Sequence, residues 1–208
     1  MLWVIEISKI FEKKTENTNK TEKIYKNVRI ILRLHAKQDK IYCIQENNRG
    51  YIMEKIYETA YAKINLGLDV LGRRENGYHD VRMVMQTVYL YDLITLELTR
   101  EPGIEIKTNL SFLPVNENNL AYRAAKLLMD EFKIQDGIRI SLEKHIPVSA
   151  GMAGGSSNAA AVLYGLNRMF DLKLTDQQLM ERGVTLGADV PYCILRGTVL
   201  AEGIGEIL

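Results

Sequence analysis

The chain has 208 residues, 47% of them hydrophobic and 25% charged, which is the balance of a globular protein and excludes a disordered or fibrous one. Cys43 and Cys193 are too far apart for a disulfide framework or a zinc site, so a reducing, cytoplasmic setting is expected. The net charge of +1 gives no pull toward nucleic acid or membrane, and no stretch approaches the roughly 18 apolar residues a spanning helix needs.

Residues 1–52 differ in character from the rest of the chain. They hold eleven Lys and Arg against six Asp and Glu, residues 53–208 hold sixteen against twenty, and fourteen of the fifteen glycines come after residue 52. The polar run from Lys13 to Lys20 has dispersed charge and little turn punctuation, which reads as an unstructured extension; the other reading is a basic arm for an acidic partner. Val28–Leu34 is its one apolar cluster, a short helix or strand. Arg49-Gly50 can be encoded by a purine-rich string, with Tyr51-Ile52 as the spacer before Met53. That is the layout of a ribosome-binding site ahead of a start codon. The expectation is therefore a non-native or disordered extension over 1–52 and a native start at Met53.

From Met53 the patterning is orderly. Lys55–Ala62 and Ile64–Leu71 read as two strands, and Arg73–Gly77 as a polar turn. Val81–Leu98 is rich in Val, Met, Tyr, Ile and Thr and predicts one or two strands around Tyr91-Asp92. Ile104–Thr108 is a further short strand. Asn119–Phe132 carries Leu120, Ala124, Leu127, Leu128 and Phe132 at helical spacing. Ile138–Lys144 alternates as a strand, and Ser156–Phe170 is an alanine-rich helix. Thr175-x-x-Gln178 is a capping box opening a helix that runs to about Leu186. Cys193–Leu200 closes the chain as a strand. Strands outnumber helices without strict alternation, so the fold class expected is α+β, a sheet packed on helices.

The chemistry is concentrated in Pro147-Val148-Ser149-Ala150-Gly151-Met152-Ala153-Gly154-Gly155-Ser156-Ser157-Asn158, a loop between a strand and a helix. Glycines let successive N–H groups converge into an anion nest, and the helix after the loop aims its positive end at the same point. Ser156 and Ser157 add hydroxyls in the first turn. The arrangement suits a polyphosphate, although it is neither a Walker A loop nor Gly-x-Gly-x-x-Gly; an ordinary loop before a helix start is the plainer reading. Asp189, beside Pro191, is either a turn residue or a carboxylate placed to take or orient a hydroxyl proton as that hydroxyl attacks a γ-phosphate. Lys63 is a lone cation in an apolar strand. It either reaches solvent or faces a carboxylate or phosphate, and a Lys63–Asp189 pair would set a positive charge beside the carboxylate. Asn65 shares its strand face. Tyr78 and His79 could stack on and hydrogen-bond a heterocycle, or be an ordinary core-edge and surface pair. His145 reads as a loop histidine.

Ala62–Leu66, Pro147–Asn158 and Gly187–Pro191 together resemble the GHMP kinase superfamily. With Gly77-Tyr78-His79 and Ala201–Glu206, they resemble most closely the branch that phosphorylates a hydroxyl of a cytidine diphosphate-linked methylerythritol in isoprenoid precursor synthesis. The resemblance covers Met53 to Leu208. It implies an N-terminal domain like ribosomal protein S5 and a ferredoxin-like C-terminal domain, with ATP and substrate between them; the chain stops before the second. It implies that Pro147–Asn158 wraps the ATP phosphates and that Asp189 is the catalytic base, with Lys63 polarising the site. Asn65, Tyr78 and His79 would hold substrate, Asn119 and Leu120 would lie near the adenine, and Mg²⁺ would accompany ATP. Mevalonate- or homoserine-type kinases are the neighbouring reading. A non-catalytic, S5-like RNA-binding module is the distant one. Two departures stand out: Met152-Ala153 replaces the usual Leu-Gly, so Ala153 should have negative φ, and without the second domain little or no turnover is expected.

Overall fold

A computed structural model describes residues 4–6, 31–33, 43–47, 50–73, 75, 77, 79–205 and 207–208. Most of the 1–52 extension lies outside these residues, as do Tyr78 and Glu206. The chain divides into two units, residues 1–56 and 57–208. In the first, β1 (Val4–Glu6) pairs antiparallel with β2 (Ile31–Arg33), and β3 (Cys43–Asn47) pairs antiparallel with the start of β4.

β4 spans Gly50–Arg73. The two strands expected over Lys55–Leu71 are thus one: Lys63 interrupts the apolar pattern but not the backbone, because its ammonium finds partners. The second unit holds the rest of β4 with β5 (His79–Thr99), β6 (Ile104–Thr108), β7 (Gly137–Glu143) and β8 (Thr198–Ala201). Their order is β4-β5-β7-β6, with β8 also on β5. β5 runs antiparallel to β7 (Leu96 opposite Ile140) and to β8 (Val84 opposite Leu200), whereas β6 is parallel to β7 (Ile106 opposite Ile140). The parallel pair needs a crossover, and α1 (Leu120–Glu131) supplies it. Helices α2 (Gly154–Met169), α3 (Asp176–Gly183) and α4 (Val190–Leu195) come after β7. This mixed sheet with helices is the α+β class expected.

Period-two alternation decides which face is covered. Ile94, Leu96, Ile138, Ile140 and Leu142 are buried, as are Ala121, Ala124, Ala125 and Leu128 of α1 and Ala159 to Leu163 of α2. Each large apolar side chain so buried contributes about 1.5–3 kcal/mol. The intervening strand residues carry charge: Arg139 bonds Glu105 at 2.8 Å and lies 3.7 Å from Glu97, a ladder suited to a wet face.

Local signals set the helix ends. Asn119 caps α1 by accepting from the Ala121 amide at 2.9 Å. Thr175 and Gln178 form the reciprocal box at the start of α3. That helix ends at Gly183 rather than near Leu186, because the backbone turns there: the Leu186 and Gly187 amides both bond the Gly183 carbonyl. The closing strand expected over Cys193–Leu200 is corrected as well. Val190–Leu195 is helical and the strand begins only at Thr198. Pro191, in the first helical turn, is the start signal that outweighs the β-branched character of the run.

Candidate functional site

The loop between β7 and α2 approaches its helix through three left-handed residues, Ser149 (φ 60°), Gly151 (φ 72°) and Ala153 (φ 57°). The negative φ expected for Ala153 is therefore wrong. As the residue before α2, it must turn the chain into the helix, and it does so in a conformation that disfavours a Cβ. No side chain caps α2, so its leading N–H groups remain suited to an anion. Pro147 to Gly151 are exposed, leaving this rim of main chain open to solvent.

β4 is tied to the loop by the Lys63 amide, which donates to the Met152 carbonyl at 3.1 Å. The Lys63 side chain is buried, 4% exposed, a placement that needs partners for its charge. Nζ donates to Asn65 Oδ1 at 3.1 Å and stands 3.7 Å from Asp189 Oδ2. Asp189 opens α4 without capping it, which leaves its carboxylate free to face Lys63. Cys193 lies beneath this pair: its amide bonds the Asp189 carbonyl at 3.0 Å. Burial, then the charge of Asp189, pushes its thiol up to about 12. Lys63, Asn65, Asp189 and Met152 of the loop thus come together.

Of the Ser156 and Ser157 hydroxyls expected in the first turn of α2, that of Ser157 is engaged with main chain. Ser157 is buried and donates its hydroxyl to the Tyr61 carbonyl at 2.6 Å. Asn158 is buried too, donating to Asp92 Oδ2 at 2.7 Å and accepting from Lys144 Nζ at 2.9 Å. Both point into the footing of the loop because the first turn of α2 packs inward there. Ser156 keeps partial exposure.

Around them is a cluster the sequence reading missed. Asp92 and Lys144 form a buried ion pair, and Asp92 Oδ1 also accepts from the amides of His145 (2.7 Å) and Ile146 (2.8 Å). The signal available was a charged residue in or next to an apolar strand, Asp92 within β5 and Lys144 directly after β7.

The other candidates are dispersed. Leu120 touches the start of α2, where a Cβ on Gly155 would lie 3.4 Å from Leu120 Cδ1, so Asn119 and Leu120 adjoin the loop. Asn119 itself is engaged as a cap and donates to the Pro114 carbonyl at 2.8 Å. His79 is exposed at the start of β5, next to a cleft of about 440 Å³ lined by Asp80, Val81, Leu71, Gly72 and Glu202 among others. His145 is exposed and lies 3.4 Å from Glu143. Among the described residues no group of three His, Cys, Asp or Glu side chains could hold a metal ion, and no helix is long and apolar enough to cross a membrane. The described residues thus form no all-protein cage for Mg²⁺.

The family model for the GHMP kinases N terminal domain matches residues 119–197. A 4-diphosphocytidyl-2-C-methyl-D-erythritol kinase of Lachnoclostridium phytofermentans is 64% identical over 156 residues, 75% of this chain and 54% of that protein. One from Alkaliphilus metalliredigens is 58% identical over the same shares of each chain. The chain spans about half the length of these curated relatives. A crystal structure of a 4-(cytidine 5'-diphospho)-2C-methyl-D-erythritol kinase superposes with TM-score 0.64 at 39% identity, covering 74% of this chain and 54% of that one. A homoserine kinase from Cytophaga hutchinsonii matches in fold, with TM-score 0.57 at 21% identity over 71% of this chain and 48% of its own.

Proposed function

This chain belongs, through its N-terminal-type domain, to the GHMP kinases, and from that premise we propose that it binds ATP and serves in transferring the γ-phosphoryl group to a hydroxyl of a cytidine diphosphate-linked methylerythritol. The observation that carries this is the convergence of Lys63 on both the Met152 carbonyl of the loop and the Asp189 carboxylate. One residue registers the anion nest against the carboxylate that would meet the acceptor.

Phosphoryl transfer asks for positioning and charge stabilisation more than for covalent chemistry. Asp189 accepts or orients the proton of the attacking hydroxyl. Lys63 supplies positive charge beside it, and the Gly154–Ser156 amides receive phosphate oxygens at the positive end of α2. Asn65 holds the Lys63 ammonium in place. Tyr78 and His79 hold the cytosine. Mg²⁺ would accompany ATP as the counterion of its phosphates. The matched segment spans about half the length of the relatives, so turnover is assigned to the whole length found in them and nucleotide binding to this domain. A cytoplasmic setting goes with this reading.

The test is calorimetric titration of the 208-residue chain with ATP and with the cytidyl alcohol. Binding of ATP is expected. Tyr78→Ala should weaken the cytidyl ligand about tenfold or more, the loss of one stacking contact, and leave ATP unchanged. An unaltered cytidyl affinity would instead favour a mevalonate- or homoserine-type substrate. In a full-length relative, Asp189→Asn at the matching position should lower kcat by about 100-fold or more while sparing the affinity for ATP. Failure of the chain to bind ATP would overturn the reading.

A further inference from the structure

The ion pair under the phosphate loop is not required by the chemistry assigned to Lys63 and Asp189, and a buried pair is weak ground for stability alone, since apolar residues of similar volume often serve as well. Its connections suggest what it does. Asp92, 0% exposed, sits in β5, yet its two oxygens divide their bonds between the two stems of the loop. Oδ1 accepts from the His145 and Ile146 amides, where the chain leaves β7 and enters the loop. Oδ2 accepts from Asn158 in the first turns of α2, where the loop ends, and from Lys144.

Lys144 closes the ring by donating to Asn158 Oδ1 at 2.9 Å. Its own backbone is held on both sides by Asn109, whose Oδ1 accepts from the Lys144 amide at 2.8 Å and whose Nδ2 donates to the Lys144 carbonyl at 3.1 Å. The ammonium lies directly below the start of the helix: a Cβ on Gly154 would come within 3.2 Å of Lys144 Nζ and 3.1 Å of Ile146 Cγ2. Among the described residues no buried side-chain nitrogen or oxygen lacks a partner, so the ring is fully satisfied and rigid.

We propose that Asp92 is a positioning residue for the phosphate-binding loop, one carboxylate fixing the separation of the loop's two stems and hence the shape of the amide nest between them. The proposal rests on the nucleotide-binding reading above and deepens it. The loop itself holds left-handed residues and no side-chain cap, so its curvature has to be imposed from outside. Asp92 reaches it from a strand 52 to 66 residues away in sequence.

Asp92→Asn is close to isosteric. It keeps an oxygen for the two backbone amides but turns an N–H₂ group toward Lys144 and Asn158, donors facing donors. The experiment displaces a fluorescent trinitrophenyl-ATP from the 208-residue chain with ATP and, separately, with adenosine. For Asp92→Asn the preference for ATP over adenosine should fall about tenfold, the scale of one orphaned buried polar group, with adenosine affinity unchanged. A role limited to general stability would lower both ligands together or neither, and either result overturns the proposal. Should Asp92→Asn fail to fold, Asn158→Ala removes one arm of the ring, leaves the ion pair intact and is read by the same ratio. If the unaltered chain shows no affinity for ATP, the nucleotide reading falls and this proposal with it; an unaltered ratio in a chain that does bind ATP sinks the proposal alone.

Discussion

Cys193 takes its properties from where α4 places it. Burial, then the neighbouring Asp189 charge, pushes its thiol from an ordinary 9.0 up to about 12. A folded-state value above the unfolded one means that the neutral thiol is favoured in the fold. The contribution is whole below about pH 9 and is lost as pH climbs from there toward 12. Tyr192, raised mainly by burial, and Tyr164, raised by burial and by its bond to Asp176, act in the same direction. The urea midpoint should therefore fall steadily between pH 9 and 11, and less steeply in Cys193→Ala. At pH 8 the peptide containing Cys193 should escape iodoacetamide in the native protein and react once denatured, as read by mass spectrometry; rapid native labelling would contradict the burial. At this scale the sequence revealed Lys63 because a lone ammonium in an apolar run is conspicuous in itself. Asp92 stayed hidden because its meaning depends on Lys144, Asn158 and two backbone amides that only the fold brings to it.

Helix α2 shows how far local rules reach and where packing overrides them. On propensity, Gly165 in its interior should cost about 1 kcal/mol relative to Ala. Yet a Cβ there would lie 2.2 Å from Leu96 Cδ1 and 3.5 Å from Glu58 Cγ; Leu96 is fully buried, and Glu58 is ion-paired to Arg168 at 2.6 Å. The helix comes this close to the sheet only because residue 165 has no side chain. Gly165→Ala should thus destabilise the protein by about 1–3 kcal/mol, the range for overpacking a core, against the sign that propensity alone would give. A raised midpoint in chemical denaturation would refute this. The ends of α1 and α3 were legible from Asn119 and Thr175-x-x-Gln178, since capping is a matter of neighbours in sequence. α4 was not: Cys193-Ile194-Leu195 has the composition of a strand, and only Pro191, which favours a helix start, opposes it.

For the unit from residue 57 onward, the distribution of apolar surface is uneven. Leu66, Leu68, Val70 and Leu71 at the far end of β4 are all more than half exposed, although the same strand buries Ala60 and Ala62. Runs of this kind are aggregation-prone in water. Light scattering should show association that rises with protein concentration, and Leu66→Lys with Leu68→Lys should reduce it while leaving ATP affinity as it was. Unchanged scattering would mean that another surface is responsible. The α+β class could be read from the order and number of periodic segments. The joining of two expected strands into one could not, because it depends on Lys63 being paired rather than solvated. That continuity makes β4 an alignment rail. Side chains alternate along it, so deleting a single residue between Ala60 and Lys63 would turn the ammonium to the opposite face. The sec-butyl group of Ile64 would then stand opposite Asp189, and the glycine-rich loop would lose its gauge on β4 at one stroke.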